Sequence, residues 1–240
     1  MALSEGPSLS AILVAAGSGS RVGATAGQVP KQFVELAGHP MYQWPLRSLA
    51  RSPVVQQIVI TTVAGMVSAV EAGARAAFPG VAIDVIAGGA TRQESVWLGL
   101  MHLAGKQPHP EFVLVHDAAR PFLTSTILEG IWPALVEHGA CTVCIPISDT
   151  VKRVRDGLVA GSVDREDLVL VQTPQAARFE WLKQAHEHAR RNGLTMTDDA
   201  GILEAAGYRV AAVGGSPYNL KITQPEDLIL AHSLSKSLPW

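Results

Sequence analysis

Residues Ile12 to Gly23 read ILVAAGSGSRVG, an apolar run that passes straight into glycines and small residues. The run is a buried β-strand by its composition, and the glycines let backbone N–H groups turn inward towards an anion. Two glycine motifs are tested and fail. The dinucleotide fingerprint needs glycine at 22, where Val22 stands, and no acid for a ribose follows a second strand. The P-loop needs Lys and Ser or Thr after its last glycine, but Gly27 is followed by Gln28. What remains is a loop carrying Arg21 and then Pro30-Lys31-Gln32-Phe33. Two cations beside one backbone nest suit a triphosphate better than a solvated turn.

The rest of the chain repeats the pattern outward from that loop. Apolar, Val- and Ile-rich runs at Leu9–Ala15, Ile58–Thr62, Val81–Ile86, Phe112–His116, Ala140–Ile145 and Arg209–Val213 read as strands. Helical patterns lie between and after them, at Met41–Arg51, Gly65–Ala77, Gln93–Leu103, Ser125–His138, Phe179–Asn192, Asp198–Ala206 and Pro225–Ser235. This order predicts an α/β fold, a Rossmann-like and mainly parallel sheet with helices on both faces, in a single domain over residues 1–240. Ligands of such sheets sit beyond the C-terminal strand ends.

Between Asp149 and Asp167, 9 of 19 residues are charged, against 17% for the chain. Asp156-Gly157 lies between VKRVR and LVAGSV, which predicts a β-hairpin inserted at about residues 147–170. Such a hairpin is either a solvated excursion or an arm that grips a second subunit.

Composition removes several function classes. The chain has 240 residues and a formal net charge of -2, so it has no global field for a nucleic-acid backbone. No apolar run is long enough for a membrane span, and no signal peptide is visible. The two cysteines, Cys141 and Cys144, fall on one strand, where residues three apart face opposite ways. They read as buried hydrophobes in a reducing compartment, and cytoplasmic localisation is expected. His186-Glu187-His188 reads as a solvated helix face, because residues two apart on a helix do not converge.

The ordered segments AAGSGSRVG, PKQF, GGATRQESVWLGL (88–100), VHDAARPF (115–122), PISDTVKR (146–153), QTPQ (172–175), TDDA (197–200) and NLKITQPEDL (219–228) resemble the 2-C-methyl-D-erythritol 4-phosphate cytidylyltransferases, over about Leu9 to Ala231. That resemblance implies transfer of CMP from CTP to a polyol phosphate, with Mg²⁺ as cofactor. It implies that Ala15, Ala16, Gly17, Gly19, Gly89, Ser95, Asp117 and Ala118 bind the nucleotide and that Asp117 meets the metal. Arg21, Lys31 and Lys221 then stabilise the transferred phosphate. Arg120, Thr150, Arg165, Thr173 and Thr197 contact the acceptor, with Thr150 and Arg165 reaching a partner's site along the hairpin arm of a homodimer. Thr197 also reads as a helix N-cap. Arg92 reads as a salt-bridge residue without an assigned role.

Val14, Val22, Ala177 and Gly201 depart from the family pattern, the last two near the expected acceptor contacts. The rival readings are a cytidylyltransferase for a pentitol phosphate such as ribitol 5-phosphate, a non-catalytic nucleotide-binding protein, and a dinucleotide-dependent oxidoreductase. The proposed site segments hold Arg21, Lys31, Arg92, Arg120, Lys152, Arg153, Arg165 and Lys221, which are 8 of the 19 basic residues. A near-neutral chain can therefore still focus positive charge in one cleft.

Overall fold

The computed structural model describes residues 8–17 and 30–237, apart from the side chain of Lys31. Seven strands form the central sheet: β1 (Leu9–Ala15), β4 (Val55–Thr62), β5 (Ile83–Ala87), β6 (Phe112–Asp117), β7 (Ala140–Pro146), β10 (Val169–Arg178) and β11 (Ala211–Gly214). Their order is β11-β7-β10-β6-β1-β4-β5. Pairs β1/β4, β1/β6, β4/β5 and β7/β11 are parallel, and β10 runs antiparallel to both β6 and β7. The sheet is thus mainly parallel, as expected.

β10 is the element that the apolar pattern misses. Its centre is Gln172-Thr173-Pro174-Gln175, and proline supplies no ladder N–H. The strand accommodates this with a shift of register between Val171 and Gln175 against β7.

Helices cover both faces because successive strand residues point opposite ways. Ala11 and Leu13 of β1 face one cluster, with Leu46 and Leu49 of α1 (Gln43–Arg51), Val70 of α2 (Val67–Ala77) and Ile127, Ile131 and Leu135 of α4 (Ser125–His138). Ile12 faces the other, with Val96 and Leu100 of α3 (Arg92–Ala104), Phe179 and Leu182 of α5 (Phe179–Arg191) and Ile202 of α6 (Asp199–Ala205). α7 (Pro225–Ser237) packs through Ala231 against Leu36 of the short β2 (Glu35–Leu36), which pairs with β3 (His39–Pro40). Cys141 and Cys144 are free and buried, and burial pushes the Cys141 thiol up to about 12.

The hairpin forms as its turn signal predicts. β8 (Val151–Arg155) and β9 (Leu158–Val163) pair antiparallel in a separate two-stranded sheet. Asp156 and Gly157 both have positive φ, 49° and 77°, which matches the right-handed strand twist.

Two local readings need correction. The N-cap of α6 is Asp198, whose side chain accepts from Gly201 N, so Thr197 lies one residue outside the cap. His186 is not solvated. Leu182, Ala185 and Ala189 make the buried stripe of α5, and His186, four residues from Leu182, is carried inside with them.

Candidate active site

Strand ends and the loops after them build the site. β1 ends at Ala15, which is buried, and Gln32 returns to hold that end. Gln32 is 2% exposed, and its Nε2 donates to Ala15 O at 2.6 Å and Gly17 O at 3.0 Å. The PKQF motif by itself shows no role for this side chain. Lys31 opens a single 3₁₀ turn, Lys31–Phe33. Gly19, Arg21 and the Lys31 side chain lie outside the described residues.

The corner after β5 meets the β1 loop. A Cβ on Gly88 would fall 2.3 Å from the Ala16 Cβ, so the close approach requires glycine. Gly89 N donates to Ser95 Oγ at 3.1 Å, and that hydroxyl donates to Thr91 O at 2.8 Å. Ser95 therefore braces the corner from inside, while Thr91 caps α3 by accepting from Glu94 N at 3.0 Å. The structure brings Ala15, Ala16, Gly17, Gly89 and Ser95 together as the sequence reading grouped them.

Asp117 ends β6 and Ala118 follows it, with Ala118 N donating to Val14 O at 3.0 Å. Asp117 is 6% exposed and grips two cations with different oxygens. Arg92 Nε donates to Oδ1 at 2.8 Å, and Lys221 Nζ lies 2.7 Å from Oδ2. Burial alone would raise the Asp117 pKa, but Arg92 and Lys221 outweigh it and hold the carboxyl well below the usual range. Burial would likewise favour loss of the Arg92 proton, yet Asp199 and Asp117 raise its pKa above the ordinary value. Arg92 Nη2 lies 2.8 Å from Asp199 Oδ2, a charge contact without the alignment of a hydrogen bond.

Arg120 crosses the same cleft. It donates to Asn219 O at 2.8 Å and to Val171 O at 3.4 Å, while its buried Nε has no partner. Thr173 is buried, and the pattern of donors fixes its role. His116 Nε2 faces Arg120 O, which can only accept, so Nδ1 takes the Thr173 hydroxyl proton. Thr173 Oγ1 in turn accepts from Asp117 N at 3.1 Å. Burial pushes the His116 pKa down to about 4, so the ring is neutral at pH 7. Thr173, read in the sequence as an acceptor contact, thus gives its proton to His116 and uses its oxygen to hold the Asp117 backbone N–H.

Asp117, Arg120, Thr173, Thr197 and Lys221 all line one cleft of about 200 Å³, with Arg92 and Gln175. Thr150 and Arg165 do not line it. They stand at the base of the hairpin, where Arg165 Nη1 donates to Ser148 O. Ala177, expected near the acceptor, is instead fully buried in the core. Gln175 is a residue that sequence reasoning missed. Its Oε1 accepts from Asp199 N and Ala200 N, and its Nε2 donates to Thr142 Oγ1 and Asp198 Oδ2.

A larger groove, about 710 Å³, lies between α1 and α4 and is lined by Trp44, Phe122 and Trp132. Arg47, Arg51 and Glu129 also line it, but the smaller cleft is where a buried carboxylate, Asp117, meets two cations, Arg92 and Lys221, and it is the candidate site. The charged side chains that line the cleft, Arg92, Arg120 and Lys221 against Asp117 and Asp198, sum to +1. That suits phosphoryl groups.

A mainly parallel sheet, a glycine-rich first loop and a cationic cleft around one fixed carboxylate define a nucleotidyltransferase. A family model described as 2-C-methyl-D-erythritol 4-phosphate cytidylyltransferase matches residues 9–236. The chain belongs to that family. The curated enzyme of that name from Pelotomaculum thermopropionicum is 40% identical over 235 residues, covering 95% of this chain and 94% of its own. The one from Solibacter usitatus is 41% identical, covering 92% and 93%. Among solved structures, the Anaerococcus prevotii 4-diphosphocytidyl-2C-methyl-D-erythritol synthase superposes with a TM-score of 0.83 at 26% identity, over 97% of this chain and 100% of its own. The Thermus thermophilus cytidylyltransferase gives 0.76 at 31% identity, over 95% and 99%.

Proposed function

We propose that this chain transfers CMP from CTP to 2-C-methyl-D-erythritol 4-phosphate, giving 4-diphosphocytidyl-2-C-methyl-D-erythritol and pyrophosphate. The observation that carries the reading is the meeting of Asp117, Lys221, Arg120 and Arg92 in one cleft at the C-terminal end of β6. An acceptor phosphate oxygen attacks the α-phosphorus of CTP, and the bond to the pyrophosphate oxygen breaks in line. A phosphate monoester has a second pKa near 6, so it is already an anion and needs no general base. Asp117 fits this, because a carboxylate held so firmly ionised is a poor proton acceptor.

Catalysis is then a matter of placing anions and stabilising charge. Lys221 and Arg120 present N–H groups to the cleft, and Arg21 and Lys31 are assigned the triphosphate by their place in the family motif. Gly89 and Ser95 shape the nucleotide corner with Ala15, Ala16, Gly17 and Ala118, and Gly19 is assigned to the nucleotide by its place in the family motif. Thr197, exposed on the cleft rim, is assigned to the acceptor.

Mg²⁺ fits one group of this site. Asp117 lines the cleft with Oδ2 beside Lys221 and remains ionised, and this cation is commonly held by one or two carboxylates plus substrate phosphates. When bound, it would neutralise charge on the triphosphate.

The hairpin is the proposed arm of a homodimer. Val154, Leu158 and Val159 are 59%, 74% and 68% exposed, an unusual apolar load for a solvated hairpin. Thr150 and Arg165 would complete the partner's acceptor site. No helix among the described residues is long and apolar enough to cross a membrane, and free buried cysteines suit the cytoplasm. Pyrophosphate release with CTP and 2-C-methyl-D-erythritol 4-phosphate tests the reading, with ribitol 5-phosphate as the rival acceptor. Faster turnover with ribitol 5-phosphate would replace the acceptor but keep the transfer.

A further inference from the structure

The charges at the cleft floor continue into the protein. Asp199, 1% exposed at the start of α6, faces Arg92 with Oδ2 and His186 with Oδ1, the latter at 3.1 Å from Nε2. Its backbone N–H is held by Gln175 Oε1 at 2.7 Å. His186, Asp199, Arg92, Asp117 and Lys221 therefore form one row from the interior of α5 to the cleft. Neither His186 nor Asp199 lines the cleft, so neither can touch substrate. A buried ionic pair is also a poor means of stabilising a core, where apolar side chains of similar size often do as well. The row calls for another role.

The geometry points to Asp199 and His186 as positioning residues for the transfer proposed above, on which this inference rests: Asp199, steadied by His186, anchors Arg92 so that Asp117 keeps Oδ2 on Lys221 in the cleft. Arginine carries its donors in a rigid fork that readily takes both oxygens of one carboxylate. Here the fork is divided. Nε serves Asp117 Oδ1 and Nη2 serves Asp199, which leaves Asp117 Oδ2 to Lys221. Without the Asp199 charge, Arg92 is free to chelate Asp117 and draw Oδ2 away from Lys221. The loss would fall on transition-state contacts, and so on kcat more than on KM.

The test is Asp199→Asn, which keeps size and removes the charge. kcat per folded enzyme and both KM values are measured beside wild type, below the unfolding temperature of each. The expected result is a fall in kcat of about 10–100-fold, the usual range for supporting partners of a functional carboxylate, with both KM values within about threefold. Adding Asp199→Asn to Arg92→Lys should cost little more than Arg92→Lys alone. An unchanged kcat, or effects that simply multiply, would overturn the inference. If Asp199→Asn does not fold, His186→Gln and His186→Leu decide. Gln can still donate to Asp199 and should keep kcat, whereas Leu should lose about tenfold, and equal kcat values would overturn it. An inactive wild type would instead defeat the assigned reaction, so the two failures are distinguishable.

Discussion

Lys221 Nζ lies 2.7 Å from Asp117 Oδ2, which makes one charged unit of the loop before α7 and the end of β6. Lys221 is 39% exposed on its side chain and Asp117 only 8%, so the lysine is the member that the proposed reaction sets against the incoming phosphates. Lys221→Ala should lower kcat by about 10²–10³, the typical cost of removing one oriented donor at a developing charge. Lys221→Arg should recover part of it. Steady-state kinetics at saturating CTP check this, and an unchanged kcat would remove Lys221 from the transition state.

The Gly88 corner makes a separate prediction about nucleotide binding. In Gly88→Ala the new methyl would meet the Ala16 Cβ at 2.3 Å, and neither neighbour is a flexible side-chain end. The β1 loop must move away. CTP KM should rise at least about tenfold, the equivalent of ~1.4 kcal/mol, with a smaller change in acceptor KM. Isothermal titration of CTP into the variant reads the same displacement without turnover.

His116 sets a pH dependence of stability. Its folded pKa is about 4, below the unfolded 6.5, because burial disfavours the charged ring. Between those values the unfolded chain binds the extra proton, so stability falls as pH drops from 6.5 towards 4 and is fully present above 6.5. The loss is at most a few kcal/mol. Urea unfolding across this range should show the slope, and His116→Gln should flatten it.

Gln175 ties α6 to β10. Gln175→Ala leaves two helix-start N–H groups, of Asp199 and Ala200, without their buried acceptor. The cost should be about 3 kcal/mol, the sum of one to two unsatisfied buried donors. The urea midpoint measures it, and a shift within error would mean that water replaces the amide.

Several of these groups were legible in the sequence and others were not, for physical reasons. β1, β4, β6 and β7 announce themselves as apolar runs because both sheet faces are covered. The hairpin turn is legible because Asp156-Gly157 tolerates positive φ. β10 is hidden by Pro174 and its register shift. His186 sits at helical spacing from Leu182, so its burial follows the apolar stripe of α5, but its partner Asp199 lies on another helix and no spacing along the chain shows that pair. Arg92 could be read as a salt-bridge residue, but its two partners come from β6 and α6, and spacing along the chain cannot show that they converge.

The oligomer has its own test. Leu158→Asp combined with Val159→Asp places a charge on each face of the hairpin, at two of its exposed apolar residues. Sedimentation should show a dimer for the natural chain and a monomer for the variant, whose activity should fall with it. A wild-type monomer of full activity would exclude a shared site.

The most direct measurement is pyrophosphate release by the purified chain with Mg²⁺, CTP and 2-C-methyl-D-erythritol 4-phosphate, with the product identified by mass. The cationic cleft around Asp117 and Lys221 predicts stoichiometric pyrophosphate and 4-diphosphocytidyl-2-C-methyl-D-erythritol, with little turnover when either substrate is omitted. No pyrophosphate from CTP with any polyol phosphate would contradict it.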